Sequence, residues 1–286
     1  METVVVAALN GLVVGASLAL VAAGLALLFG VLGVLNFAQG DFFMLGAYVV
    51  WFFLARGVSF WLGVAAAVIA VGVVCGLGLM VMLWPLRDRA HALVLLATLA
   101  LSLILEQLAA NVFGADAKSV SAPIPGRLPI GSTDYPLYDL LVVAVAVVIL
   151  AGGFVFLKYV KYGIWLRAVA QNRGLASVLG VPVSRVYALA FVVSAGLAAV
   201  AGSLLVPLTS VYPTVGLDIN LSAFIVVIAG GLGNFRGAAA IAVGLGVAES
   251  LGSIWLRGEA VQLLVFGLVI ALLVVRSQRQ RAMVRL

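Results

Sequence analysis

The chain has 286 residues, of which 65% are hydrophobic and only 9% are charged. A soluble domain carries about 25% charged residues, so this composition excludes an ordinary soluble enzyme. A membrane-spanning helix needs about 20 mostly apolar residues, and the apolar content therefore allows about nine crossings. The net charge of +6 is spread between apolar stretches, which is not typical of a nucleic-acid-binding module.

Long stretches without charged residues divide the chain and predict helices that cross a membrane. These runs are continuously apolar, whereas the strands of an outer-membrane barrel alternate apolar and polar residues. We therefore predict an all-α, polytopic membrane protein, a single domain over residues 1–286 with eight or nine membrane segments. In chain order the predicted spans are 8–30, 38–55, 60–83, 92–112, 138–157, 186–206, 220–234, 237–255 and 260–275.

Alternating these spans across a membrane places 12 of the 16 basic residues on one side. Basic residues accumulate on the cytoplasmic side of membrane proteins. The distribution therefore predicts a periplasmic amino terminus and a cytoplasmic carboxyl terminus.

Two connections between spans are longer than turns. The external one, 114–136, holds four prolines and is predicted to form an irregular cap. The cytoplasmic one, 158–185, is rich in Ala, Leu and Arg and predicts short helices divided at Gly174. Such helices can dock into a partner protein or lie on anionic lipid, and the sequence is compatible with both.

Two short motifs predict broken helices. The runs 36–40 and 234–237 share an Asn-Phe pair followed by Gly, which can mark equivalent breaks in two internal repeats. Gly230, Gly231 and Gly233 are a candidate hinge, with close helix packing through small residues as the alternative.

Polar residues inside predicted spans are candidates for a solute pathway or gate. A carboxylate near the bilayer centre costs about 2.5 to 3.5 kcal/mol, so such residues are expected to face protein. Interhelical hydrogen bonds to Gln107, to Ser250 or to a partner subunit are the structural alternative. The candidates are Asn36, Gln39, Glu106 and Glu249.

Neither a metal site nor a catalytic site is predicted. The chain has one His and one Cys, and its acidic residues are scattered. No nucleophile is accompanied by a base, and no phosphate-binding loop occurs in the sequence. Any ATP-driven process therefore needs another chain.

Three regions resemble a known family. The run 167–172, followed by Ala176 and 179–181, is similar to the cytoplasmic coupling segment of permease subunits of branched-chain amino acid ABC transporters. The regions 11–48 and 228–238 are similar to the H-type subunits of the same transporters. Because the matches lie in both halves and in the central loop, the resemblance covers nearly the whole chain.

The resemblance implies an inner-membrane permease subunit for leucine, isoleucine and valine. Its implied partners are an M-type second permease, two ATP-binding subunits that use ATP and Mg, a periplasmic substrate-binding protein and the lipid bilayer. No cofactor is expected on this chain, and nucleic acid is not expected as a partner.

The ATPase-coupling role falls, by this resemblance, on part of the 158–185 connection. Many relatives carry an acidic residue in the stretch occupied here by 172–174, so the details of the contact differ. The implied coupling residues are Arg167, Ala168, Gln171, Asn172, Leu175, Ala176, Leu179 and Gly180.

Two alternatives remain open at this point. Permeases for urea or short-chain amides resemble this family closely, and no residue of this sequence distinguishes between these solutes. A stand-alone secondary transporter or channel would need its own ion-coupling residues, for which Glu106 and Glu249 are the membrane candidates.

Overall fold

A computed structural model describes residues 2–79, 91–130 and 133–256, and the isolated positions 81, 85, 260, 261 and 267. The helices in these ranges are α1 Glu2–Leu32, α2 Gln39–Leu54, α3 Phe60–Gly78, α4 His91–Phe113, α5 Leu137–Tyr159, α6 Lys161–Gln171, α7 Arg173–Val178, α8 Val183–Leu205, α9 Val215–Gly230 and α10 Phe235–Gly252. The two strands are β1 Arg127–Ile130 and β2 Thr133–Pro136.

Six of the helices are long and apolar enough to cross a membrane, namely α1, α3, α4, α5, α8 and α10. The helices α2 and α9 are apolar but have only 16 residues each. Each of the first eight predicted spans therefore coincides with a helix, and the all-α membrane class is confirmed. The ninth predicted span, 260–275, falls almost entirely outside the described residues.

Helix α1 forms the centre of the bundle. It packs against α10, α8, α5 and α9, and 83% of the residues in its most apolar 18-residue stretch are buried. Glycines allow the closest of these contacts, because a Cβ at Gly15 would lie only 2.9 Å from Val243 Cα in α10. Small residues of this kind drive helix association in membranes through close backbone approach.

Helices α3, α4 and α5 form part of the outer surface of the bundle. Only 17% to 28% of the residues in their most apolar 18-residue stretches are buried. Their outward side chains, such as Ile69, Val112 and Val148, are large and apolar. These faces suit hydrocarbon or another membrane subunit, and they would be unfavourable in water.

The bundle has two distinct ends. At the loop end, where α1 begins, the β1–β2 hairpin pairs Leu128 with Tyr135 and Arg127 with Pro136. The Tyr135 hydroxyl donates to Asn10 Oδ1 at 3.0 Å. Burial raises the pKa of Tyr135 to about 12, so this hydroxyl is protonated and able to donate at neutral pH. The cap predicted as irregular therefore contains a hairpin, whose prolines are tolerated because both strands are edges.

The opposite end carries α6 and α7, and it is called the coupling end after the role that the resemblance implies for these helices. The break between these helices falls at Asn172, whose Oδ1 accepts a hydrogen bond from Leu175 N at 3.0 Å. The predicted division at Gly174 is therefore wrong, because Gly174 lies within α7. An Asn N-cap supplies the acceptor that starts a helix, whereas one glycine only weakens a helix already formed.

Candidate functional site

A buried break separates α1 from α2. Gly33 follows α1 with a φ of +71°, a backbone conformation that glycine adopts without strain. The chain then turns at Asn36, whose Oδ1 accepts a hydrogen bond from Ala38 N at 3.1 Å. Helix α2 starts immediately afterwards at Gln39.

Contacts with α8 show how deep this break lies. Gln39 Nε2 donates to Ser194 O at 3.1 Å, and Ser194 Oγ donates to Gln39 Oε1 at 2.9 Å. Ser194 is the central residue of α8, so it lies about 16 Å from each helix end at 1.5 Å per residue. The break therefore lies halfway through the bundle.

Helices α9 and α4 satisfy the exposed backbone groups of the break. Asn220 Oδ1 accepts from Gly40 N at 2.8 Å, and Asn220 Nδ2 donates to Phe37 O. Phe37 N donates to Thr98 Oγ1 at 3.3 Å. The approach of α9 needs glycine at position 40, where a Cβ would overlap the carbonyl oxygen of Gly216.

Asp41 is a buried carboxylate in the first turn of α2. It is 1% exposed, and neither of its oxygens has a hydrogen-bond partner among the described residues. The hydroxyl of Ser102, the central residue of α4, lies beside this carboxyl group, and Glu106 is close enough to act on it electrostatically. A carboxyl group buried at this depth is costly, which makes Asp41 a candidate functional residue.

The predicted pathway residues fall in two places. Asn36 and Gln39 lie together at the break, and Glu106 lies near Asp41. Glu249 lies elsewhere, in α10 beside the start of α1, where the neighbouring Ser250 Oγ donates to Ala7 O at 2.6 Å. The predicted partner of Glu106, Gln107, donates instead to Asn111 Oδ1 at 3.5 Å.

Several residues of the break carry sequence signals of different strength. Asp41 has the same signal as Glu106 and Glu249, because it is a carboxylate inside a predicted span. Ser194 and Asn220 have no such signal, since single polar residues occur in many spans. Their role appears only when the fold brings them to Gln39 and Gly40.

A second break separates α9 from α10 at the coupling end. Gly230 ends α9, and Gly231 and Gly233 follow with φ values of +101° and +80°. Asn234 Oδ1 then caps α10 by accepting from Gly237 N at 3.1 Å. A Cβ on Gly233 would lie 3.1 Å from Gly30 Cα, so the turn packs closely on α1. Bending at these glycines stays a prediction.

The predicted coupling residues all lie in α6, in α7 or next to them. Ala176 is 2% exposed and Ala168 is half-buried, so these two face the bundle. Leu175 and Leu179 are 62% and 82% exposed. The remaining members Arg167, Gln171, Asn172 and Gly180 are also exposed.

The described residues bring together no group of three or more His, Cys, Asp or Glu side chains that could hold a metal ion. The chemistry available at the two breaks and at the coupling end is hydrogen bonding, charge and apolar contact.

Comparisons with known proteins place the chain in a family. Residues 7–274 match the family described as the permease component of the branched-chain amino acid transport system. The chain is 31% identical to the Salmonella typhimurium protein "High-affinity branched-chain amino acid transport system permease protein LivH", over 93% of this chain and 91% of that one. It is 33% identical to the Methanocaldococcus jannaschii protein "Probable branched-chain amino acid transport permease protein LivH", over 90% of this chain and 84% of that one.

Among solved structures, the chain is similar to PsaBC from Streptococcus pneumoniae in complex with Fab. The TM-score is 0.47 with 14% sequence identity, over 93% of this chain and 89% of that one. The family match spans both helix breaks and the coupling segment. This chain belongs to the family of permease components of branched-chain amino acid transport systems.

Proposed function

We propose that this chain is the membrane subunit through which an ATP-binding cassette importer moves leucine, isoleucine and valine across a bacterial inner membrane. The family match supports the transport class, and the names of the relatives supply the solute. The single structural observation that carries the ATP-driven mechanism is the exposed apolar surface of α7 at the coupling end.

The proposed partners are those of a complete importer. They are a second, M-type permease, two ATP-binding subunits that use ATP and Mg, and a periplasmic substrate-binding protein. Six basic residues at the coupling end favour its placement in the cytoplasm by the positive-inside rule. They are Lys158, Lys161, Arg167, Arg173, Arg185 and Arg236.

Helix α7 and its C-cap residue Leu179 present three large apolar side chains outwards. Leu175, Val178 and Leu179 are 62%, 85% and 82% exposed. The Asn172 cap and the buried Ala176 fix the helix that carries them. A short rigid helix with exposed leucines is suited to docking in a groove of a partner, which supports contact with the ATP-binding subunit.

A continuous set of contacts connects this surface to the buried break. Helix α6 packs on α1, α5 and α8, and α7 packs on the start of α8. The middle of α8 holds Gln39 through Ser194. Closure of the ATP-binding subunits would therefore shift α8 against the start of α2 and change the hydrogen bonds that hold the break.

The solute chemistry suits this region. A branched-chain amino acid is a zwitterion with an aliphatic side chain, so its passage needs apolar walls and few polar groups. Asp41 and Glu106 place two carboxyl groups near the middle of the bundle, where their oxygens can accept hydrogen bonds from the ammonium group of the solute. We propose that Asn36, Gln39, Asp41 and Glu106 form the gate that opens when the break is released.

The coupling step can be tested by replacing Leu175 in α7 and its C-cap residue Leu179. The variant Leu175→Asp/Leu179→Asp should insert in the membrane normally and lose ATP-driven leucine uptake by about tenfold or more, since two buried apolar contacts are worth about 3 kcal/mol or more. Uptake by membrane vesicles measures this directly.

The matched control is Leu128→Asp, which changes an apolar side chain that is 40% exposed at the loop end. It should leave uptake close to that of the unmodified protein. Undiminished uptake by the double variant would contradict docking through α7.

A further inference from the structure

A cavity of about 390 Å³ opens at the coupling end, away from the exposed leucines of α7. It lies between the ends of α1 and α5, helix α6 and the turn that joins α9 to α10. The lining residues that give it its chemistry are Leu27, Val31, Leu157, Leu166, Lys158, Arg167 and Arg236.

The polar part of this cavity is cationic. Lys158, Arg167 and Arg236 line it, and no acidic side chain occurs among its described lining residues. The surrounding sequence adds none, because 140–217 and 219–248 contain neither Asp nor Glu. Three cations line the cavity and none of its described lining residues is a carboxylate, so the cavity is complementary to an anion.

Two of the cations are held in place by contacts that leave their charge available. Arg236 stacks on the ring of Phe154 at 3.6 Å, and Arg167 Nη2 donates to the backbone oxygen of Lys158 at 3.2 Å. Arg236 also lies in the first turn of α10, where the helix dipole is positive. Planar guanidinium groups fixed in this way suit the oxygens of a phosphate.

The opposite wall is apolar. Leu27, Val31, Leu157 and Leu166 are all buried, with 8% exposure or less. A free phosphate ion would gain nothing from this wall, whereas an amphiphile would place its phosphate on the cations and its hydrocarbon on the leucines. Tyr159, Tyr162 and Trp165 lie in the same stretch of chain as the lining residues Lys158 and Leu166, and aromatic residues of this kind are typical of the headgroup level of a bilayer.

We propose that this cavity binds the phosphodiester headgroup of an anionic membrane phospholipid. Lys158, Arg167 and Arg236 contact the phosphate, and the apolar wall receives the first part of an acyl chain. Basic pockets between membrane helices are known to take such headgroups. The bound lipid would join α5 and α6 to the α9–α10 turn and stabilise the base of the coupling segment, whichever solute the protein carries.

The test uses the full-length protein, purified in detergent with the subunits that accompany it. The protein is titrated separately with phosphatidylglycerol, with phosphatidylcholine of the same chain length and with inorganic phosphate. The thermal midpoint is measured for each, and native mass spectrometry measures the lipid that the protein retains. Phosphatidylglycerol should raise the midpoint and remain bound, and the other two should not.

Two matched variants locate the effect. Lys158→Gln/Arg236→Gln removes two charges from the cavity, and Lys161→Gln/Arg185→Gln removes two from the same end outside it. The cavity variant should need about tenfold more phosphatidylglycerol for half of the stabilisation, because each basic group near a headgroup contributes substantially to lipid affinity. The control should stay within about twofold of the unmodified protein.

Several results would overturn the proposal. Equal affinities of the two variants for phosphatidylglycerol would show that the lipid does not bind in this cavity. Equal protection by phosphatidylcholine would show that binding does not depend on the charge of the lipid. Protection by inorganic phosphate alone would assign the site to a free anion. Should the cavity variant fail to fold, a photoreactive phosphatidylglycerol on the unmodified protein must label 154–170 or 230–236, and labelling elsewhere only would contradict the proposal.

Discussion

The two helix breaks of this protein share a sequence motif and differ in their surroundings. At the first, Asn36-Phe37 precedes Gly40 in the middle of the bundle, and Asn36 is 2% exposed. At the second, Asn234-Phe235 precedes Gly237 at the coupling end, and Asn234 is exposed. The first break depends on side chains of α4, α8 and α9, whereas the second is capped by its own asparagine.

Depth explains this difference. Backbone N–H and C=O groups without partners cost about 1 to 3 kcal/mol each when buried, so the central break needs donors and acceptors from other helices. At the coupling end water is available to such groups, and local capping is sufficient. The central break is therefore linked to the whole fold, and substitutions in it should lower stability more than substitutions in the exposed break.

The largest expected effect comes from Gly40→Ala. A Cβ there would overlap the Gly216 carbonyl oxygen, and overpacking against backbone costs about 3 kcal/mol or more. We expect little monodisperse protein by fluorescence-detected size-exclusion chromatography. Gly244→Ala, at a helix position with open space around it, should behave like the unmodified protein. Equal yields of the two variants would contradict the tight contact.

Asn220→Leu should have the second largest effect. It removes the partner of Gly40 N and of Phe37 O, so the cost is about 2 to 6 kcal/mol for two buried backbone groups. The thermal midpoint in detergent measures it. Ser222→Ala, in the same helix, removes only an exposed hydrogen bond to Asp218 O, and a midpoint as low as that of Asn220→Leu would argue against this assignment.

Asp41→Asn separates function from stability. Its carboxyl oxygens have no hydrogen-bond partner among the described residues, so replacing the carboxyl group by an amide should leave the thermal midpoint unchanged or raise it. Leucine uptake should fall by about tenfold if this carboxyl group meets the ammonium group of the solute. Glu249→Gln, away from the break, should retain uptake. Full uptake by Asp41→Asn would exclude Asp41 from the gate.

Asn234→Ala should have the smallest effect. It removes the cap on Gly237 N, and an N-cap of this kind is worth about 1 kcal/mol. Asn234→Ser keeps a cap and should recover most of the loss in thermal midpoint. A decrease as large as that of Asn220→Leu would mean that the two breaks are equally coupled to the fold.

The membrane helices could be predicted from the sequence, because a long run of apolar residues has few stable structures other than a membrane-spanning helix. Span boundaries such as 38–55 agree closely with α2, Gln39–Leu54. The family resemblance and the expectation that the chain is not an enzyme are confirmed by the family match.

The contacts of the central break could not be predicted in the same way. Gln39 and Ser194 are 155 residues apart in sequence, and no periodic pattern links them. Local signals also compete. The helical part of the 158–185 connection is interrupted at Asn172, which caps the start of α7, and not at Gly174 as predicted. Polar residues in spans therefore indicate that a site exists, and only the packing of α2 against α8 and α9 identifies its members.

We expect this chain to move a branched-chain amino acid only when separate ATP-binding subunits act on it. Reconstitution in proteoliposomes tests this most directly, with uptake of labelled leucine measured for the chain alone and for the chain with its second permease, ATP-binding subunits and binding protein. We expect uptake only in the complete system with ATP and Mg, and competition by isoleucine and valine but not by urea. Uptake by the chain alone, or a complete system that takes urea in place of leucine, would contradict the claim.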